Sequence, residues 1–119
     1  MIDQNCKAEQ FRALHVRGNP LILFNIWDAG GAKAVADGGA KAIATSSWSV
    51  ANANGFADGE RIPLAEAIDN LRRIVCVTDL PVTADLEVTK LLRNDHLEGH
   101  GRLVRGTMIG CCAEQRDTI

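Results

Sequence analysis

Hydrophobic positions in this chain fall into short runs separated by helix-forming stretches. Phe11, Leu14 and His15 make a helical stripe within residues 4–15, and Gly18, Asn19 and Pro20 break the chain after it. Residues 21–26 are a short apolar run with one Asn, and their length and flanking breakers predict a strand buried on both faces. Residues 29–36 predict a helix, with Asp28 as N-cap and Gly38 as the stop. A second strand is expected over 40–45. Residues 46–54 are small and polar and predict a loop with one helical turn, and 55–62 predict loop. Pro63 opens the strongest helix, where Leu64, Ala67, Ile68, Leu71, Ile74 and Val75 recur at helical spacing opposite Arg72 and Arg73. A third strand follows over 81–86.

Alternating strands and helices predict an α/β fold with a parallel sheet covered by helices. Both an open doubly wound sheet and a (β/α)₈ barrel fit this order. After residue 87 the pattern changes. All three Phe and both Trp precede residue 88, and residues 88–119 carry scattered Gly and Arg without a sustained period. Val88 to Leu92 could extend a strand or form a turn of helix. The rest is expected to be an irregular tail.

Composition narrows the function classes. A net charge of -2 and a pI near 5.9 offer no basic field for nucleic acid or an anionic membrane surface. No apolar run approaches the roughly twenty residues that a membrane helix needs. The polar start, MIDQNCKAEQFRALH, does not read as a secretory signal, so a cytoplasmic location is expected. Cys6, Cys76, Cys111 and Cys112 show no C-x-x-C spacing and are expected as reduced thiols.

In parallel α/β folds ligands gather at the C-terminal ends of the strands. The expected ends here are Asn25-Ile26-Trp27-Asp28, Thr45-Ser46-Ser47-Trp48 and Asp85-Leu86-Glu87. Asp85 and Glu87 lie two apart on a strand, so both carboxylates point the same way and could hold Mg²⁺ with waters and substrate completing its shell. The alternative is a helix cap and a solvated acid. Thr45, Ser46 and Ser47 offer hydroxyls and backbone N–H groups that could receive a carboxylate or phosphonate, or could simply cap a helix. Asp58, in Gly55-Phe56-Ala57-Asp58-Gly59-Glu60, could close over such a site or make the turn.

The run PLILFNIWDAGGAKAVADGGAKAIATSSWSVANANGFADGE, followed by LPVTADLE, resembles the N-terminal part of the isocitrate lyase/phosphoenolpyruvate mutase family. The nearest resemblance is to its phosphonomutase and 2-methylisocitrate lyase-like members, over residues from about 10 to 87. The shared elements are Asn-x-x-Asp-x-x-Ser/Gly-Ala after strand one, Thr-Ser after strand two, Asp-Gly-Glu in the loop and Asp-x-Glu/Asp after strand three.

The resemblance implies a (β/α)₈ barrel, commonly a homo-tetramer with a helix exchanged between subunits. It implies Mg²⁺, a small carboxylic-acid substrate and cleavage or formation of a C–C or P–C bond through an enolate. On that basis Asp85 is the principal metal-site carboxylate and Glu87 a second acid near the metal. Ser46 and Ser47, with Thr45, form the turn that receives the substrate. Asp58 is an acidic loop residue near the substrate, so Asp58 and Ser46 are the catalytic candidates. Trp48 stands where an apolar pocket residue is usual.

Where family members continue past strand three with a Gly-Tyr-Gly turn, this chain has Val88-Thr89-Lys90. Residues 1–87 therefore read as the first three units of an incomplete barrel, inactive alone, and 88–119 as a divergent tail expected from a frame slip or truncation near codon 87. Three strands cannot close a barrel, so strand three or strand one is expected as an open edge. Resequencing the coding DNA from codon 80 through about 600 bases downstream, the span of a barrel domain, tests this reading. The expected result is a one-base shift that restores a Gly-Tyr-Gly turn and later strands. A reading frame with no such continuation overturns it.

Overall fold

The computed structural model describes residues 4–59, 61–86, 102–104 and 107–110. Their order is α1 (Gln4–Ala13), β1 (Asn25–Ile26), α2 (Ala29–Asp37), β2 (Ile43–Thr45), α3 (Ser47–Ala53), α4 (Leu64–Cys76), β3 (Val82–Asp85), β4 (Arg102–Val104) and β5 (Thr107–Gly110). One sheet runs β1-β2-β3-β5-β4. The first three strands are parallel, as the alternation of strands and helices predicts.

Register sets the two faces of that parallel part. Ile26 is level with Thr45 and Thr45 with Ala84; one step back along its strand Ala44 is level with Asn25 and Thr83. Side chains alternate along a strand, so Ile26, Ile43, Thr45, Val82 and Ala84 share one face. On that face Ile26, Ile43, Val82 and Ala84 form the core with Ala32 of α2 and Leu71, Ile74 and Val75 of α4. The other face carries the small or polar set Asn25, Ala44, Thr83 and Asp85.

The helices start and stop for local reasons. Asp28 Oδ1 accepts from the Gly31 N–H at 2.6 Å and caps α2. A Cβ at Gly31 would lie 3.1 Å from that same oxygen and 3.4 Å from Ile26 Cβ, so glycine lets α2 begin tight against β1. The left-handed residue after α2 is Gly39, at φ 94°, one beyond the predicted stop. Pro63 precedes α4, whose buried stripe is Ala67, Leu71, Ile74 and Val75. A second cluster, Val50, Ala51, Ile62 and Ala67, binds α3 and the loop before α4 together.

Several expectations need correction. The predicted loop over 46–54 is mostly the helix α3, because Ser46 caps it. Only Asn25 and Ile26 of the predicted first strand enter the ladder. The tail is not wholly irregular: β4 and β5 pair antiparallel, with Val104 opposite Thr107. β5 also pairs antiparallel with β3, so strand three is not an open edge. Residues 88–92 lie outside the described residues. The thiols are not all reduced: Cys6 is free and exposed, but Cys76 is disulfide-bonded.

Ile74 is fully buried between α4 and the sheet, so Ile74→Ala tests whether this cluster is the core. The expected loss is about 2–5 kcal/mol, read as a lower urea midpoint. A loss below about 1 kcal/mol would mean the helix is not held by this face.

Candidate functional site

The C-terminal ends of β2 and β3 lie side by side, because Thr45 is level with Ala84. The next residues along the two strands are therefore neighbours. Ser47 Oγ donates to Asp85 Oδ2 at 3.3 Å, and the Ser47 N–H reaches the same oxygen at 3.5 Å. Both contacts are long, and both come from the first residue of α3. The helix start thus holds one carboxylate oxygen from its N-terminal side, where negative charge is favoured. Asp85 is exposed, and its Oδ1 faces no described donor.

Ser46 behaves differently. Its Oγ accepts from the Ser49 N–H at 3.2 Å and lies 2.6 Å from Ser49 Oγ, while Ser49 Oγ donates to the Ser46 carbonyl at 3.1 Å. The hydroxyl is engaged in capping α3. Thr45 is buried on the core side of the sheet. Trp48 is exposed on α3. Asp58 is exposed in the turn with Gly59, which takes φ 93°. Glu87, the second expected metal ligand, lies outside the described residues. Among the described residues no three His, Cys, Asp or Glu side chains gather around one point.

A crevice opens beneath α3 and α4 at the ends of β2 and β3. Its enclosed space is about 30 Å³, room for about one water, and its inner wall is apolar. Its polar lining is Thr45, Ser47, Arg61, Asn70 and Asp85. Ser46, Trp48 and Asp58 do not line it, and Arg61 and Asn70 were not anticipated from sequence. Asn70 stands on the apolar stripe of α4, where spacing marks it as a core position. It is 5% exposed, and its Nδ2 donates to the Trp27 carbonyl at 2.8 Å. That bond ties α4 to the end of β1, the strand end that carries Asp28. A polar residue at a buried helical position was the available signal, since such a group must find a partner.

Asp85 offers one oxygen free of described donors, and the Ser47 hydroxyl stands beside it. Among the described residues Asp85 is the one carboxylate lining the crevice, and its Oδ1 meets no described donor.

Asn70→Ala leaves the Trp27 carbonyl without its donor in a buried setting. The expected cost is about 1–3 kcal/mol in chemical denaturation. A change near zero would show that α4 holds the β1 end by packing alone.

Three comparisons bear on identity. The family described as phosphoenolpyruvate phosphomutase matches residues 11–116. No curated protein matches the chain significantly. Among solved structures, the chain is 62% identical to a candidate phosphonomutase from Burkholderia cenocepacia J2315, with a TM-score of 0.65, over 67% of this chain and 32% of that one. It is 41% identical to a candidate lyase/mutase from the same organism, with a TM-score of 0.62, over 70% of this chain and 29% of that one. The chain thus spans about a third of the length of these solved relatives. The family match runs past residue 87, further along than the motifs that suggested it. With the family pattern extending over most of its length and close likeness to two solved members, this chain belongs to the phosphoenolpyruvate phosphomutase family.

Proposed function

We propose that this chain is the N-terminal part of a Mg²⁺-dependent lyase or mutase. The enzyme would cleave or form a C–C or P–C bond in a small 2-oxo or hydroxy carboxylic acid through an enolate. The observation that carries the reading is the meeting of Ser47 and Asp85 at adjacent parallel strand ends, in a chain of this family. Asp85 would hold the cation through the carboxylate oxygen left free by Ser47, with Glu87 as the second acid. The metal, when bound, supplies a Lewis acid for the negative charge that develops on a substrate oxygen. Ser47 orients Asp85, and Thr45 and Ser46 shape the turn that carries Ser47. Trp48 and Asp58 would join the site as substrate-facing and loop residues only by moving toward the crevice.

The parallel unit β1–β3 with α2 and α4 supports reading residues 1–87 as the first three units of a (β/α)₈ barrel; a divergent 88–119 belongs to the same proposal, against a family match that continues to residue 116. A chain spanning about a third of its solved relatives lacks most of such a barrel, so we propose that it is inactive alone. A homo-tetramer, a small-molecule substrate and a cytoplasmic location belong to the same proposal. No described helix is long and apolar enough to cross a membrane.

A second reading is a non-catalytic fragment that binds a metal or carboxylate, or pairs with a full-length paralogue. It is favoured by the outer side of β1, which has no strand partner among the described residues. Beside it Ile22 and Phe24 are 69% and 61% exposed.

Mg²⁺ titration during thermal unfolding tests the metal reading. At about 100 times Kd the expected stabilisation is about 2.7 kcal/mol, and Asp85→Asn should abolish it. A wild-type midpoint indifferent to Mg²⁺ refutes metal binding by this chain.

A further inference from the structure

We infer that the crevice is a binding site for one structural water, held between the Thr45 hydroxyl and the side-chain amide of Asn70. Both side chains are buried, at 7% and 5% exposed, and both line the crevice. The register puts Thr45 on the sheet face of Ile26 and Ala84, the face on which α4 packs, so its hydroxyl lies toward the helix that carries Asn70. Chemistry fixes the Asn70 amide. The Trp27 carbonyl can only accept, so the atom 2.8 Å from it is the amide nitrogen, and Oδ1 takes the other side of the group.

Neither Asn70 Oδ1 nor Thr45 Oγ1 has a hydrogen-bond partner among the described residues. Yet none of the buried side-chain oxygens and nitrogens among them is closed off without a partner. Both oxygens therefore open on accessible space, and the space the two residues share is the crevice. Its enclosed part is about 30 Å³, the size of one water and too small for an organic acid. An apolar cavity of that size stays dry, but two buried oxygens with unspent bonding capacity favour a water between them. The water accepts from the Thr45 hydroxyl and donates to Asn70 Oδ1. Ser47 and Asp85, on the same lining, offer acceptors for its second proton.

The water completes a chain of hydrogen bonds from the Trp27 carbonyl through Asn70 to Thr45. That chain joins the end of β1, α4 and the end of β2. Thr45 is then a positioning residue that steadies the Ser46–Ser47 turn from the helix side. The turn remains available to a ligand's anionic group. The water is independent of any metal at Asp85 and is expected with or without Mg²⁺.

The test is water ¹⁷O relaxation dispersion, which counts long-lived waters, on the full chain as wild type, Thr45→Val, Thr45→Ser and Thr83→Val. Val prefers strands at least as well as Thr, so β2 should persist in Thr45→Val, and circular dichroism checks each fold. Thr45→Val should lose the contribution of one long-lived water relative to wild type. Thr45→Ser keeps the hydroxyl and should keep that water. Thr83 is buried on the opposite face of the sheet and does not line the crevice, so Thr83→Val should change nothing. A wild type without a long-lived water overturns the inference whichever variants fold. So does a Thr45→Val chain that keeps the full wild-type count, or an equal loss in Thr83→Val.

Discussion

The parallel register of three short strands is the constraint on which the rest of this structure depends. With Ile26, Thr45 and Ala84 level, the apolar side chains of β1, β2 and β3 all face α2 and α4. A slip of one residue in any strand would turn its apolar set to the opposite face. The same register places the residues after β2 and β3 beside one another. Ser47 and Asp85 meet for that reason, although 38 positions separate them in sequence. Core and site are thus two consequences of one alignment.

The ends of β1 and β2 also have to start helices, and that requirement takes up polar side chains there. Asp28 and Ser46 are both engaged as N-caps. Capping sets the Ser46 hydroxyl 2.6 Å from that of Ser49. Ser47, the first residue inside α3, escapes this demand and reaches across to Asp85. The division of labour between two adjacent serines is set by one residue of helix phase. Asn70 shows the reverse case, a buried polar group whose amide fastens a helix to a strand end rather than meeting solvent.

Much of this was legible in the sequence. The three parallel strands, the Asp28 cap and the helix after Pro63 follow from local pattern, because each rests on contacts close in sequence or on an unmistakable period. The pairing of β4 with β5 did not show, since strands of three and four residues are too short for alternation to stand out. α3 was underestimated because Ser47–Ala53 is rich in small residues with weak helical preference, and its stability comes from the Ser46 cap and the burial of Val50 and Ala51. Arg61 was not legible as a lining residue. Its position depends on Ile62 being anchored in a cluster assembled from α3 and α4, and that is a tertiary fact.

The two flanks of the parallel unit are not equivalent. On the β3 side, β5 supplies backbone partners from Val82 to Asp85. On the β1 side no described strand pairs beyond β1, and among the described residues only two of the six in the apolar run are paired along the ladder. Ile22 and Phe24 alternate with Leu21 and Leu23, which are half-buried, so the run retains strand alternation without a neighbour to complete it. Exposed apolar groups beside an unpaired edge invite another strand. The physical demand for a partner therefore lies at β1 and not at the end where the sequence loses its aromatic residues. Any longer assembly that buries this surface would stabilise β1 first. Through the Asn70 bond to the Trp27 carbonyl, that gain would reach α4 and the rim of the crevice.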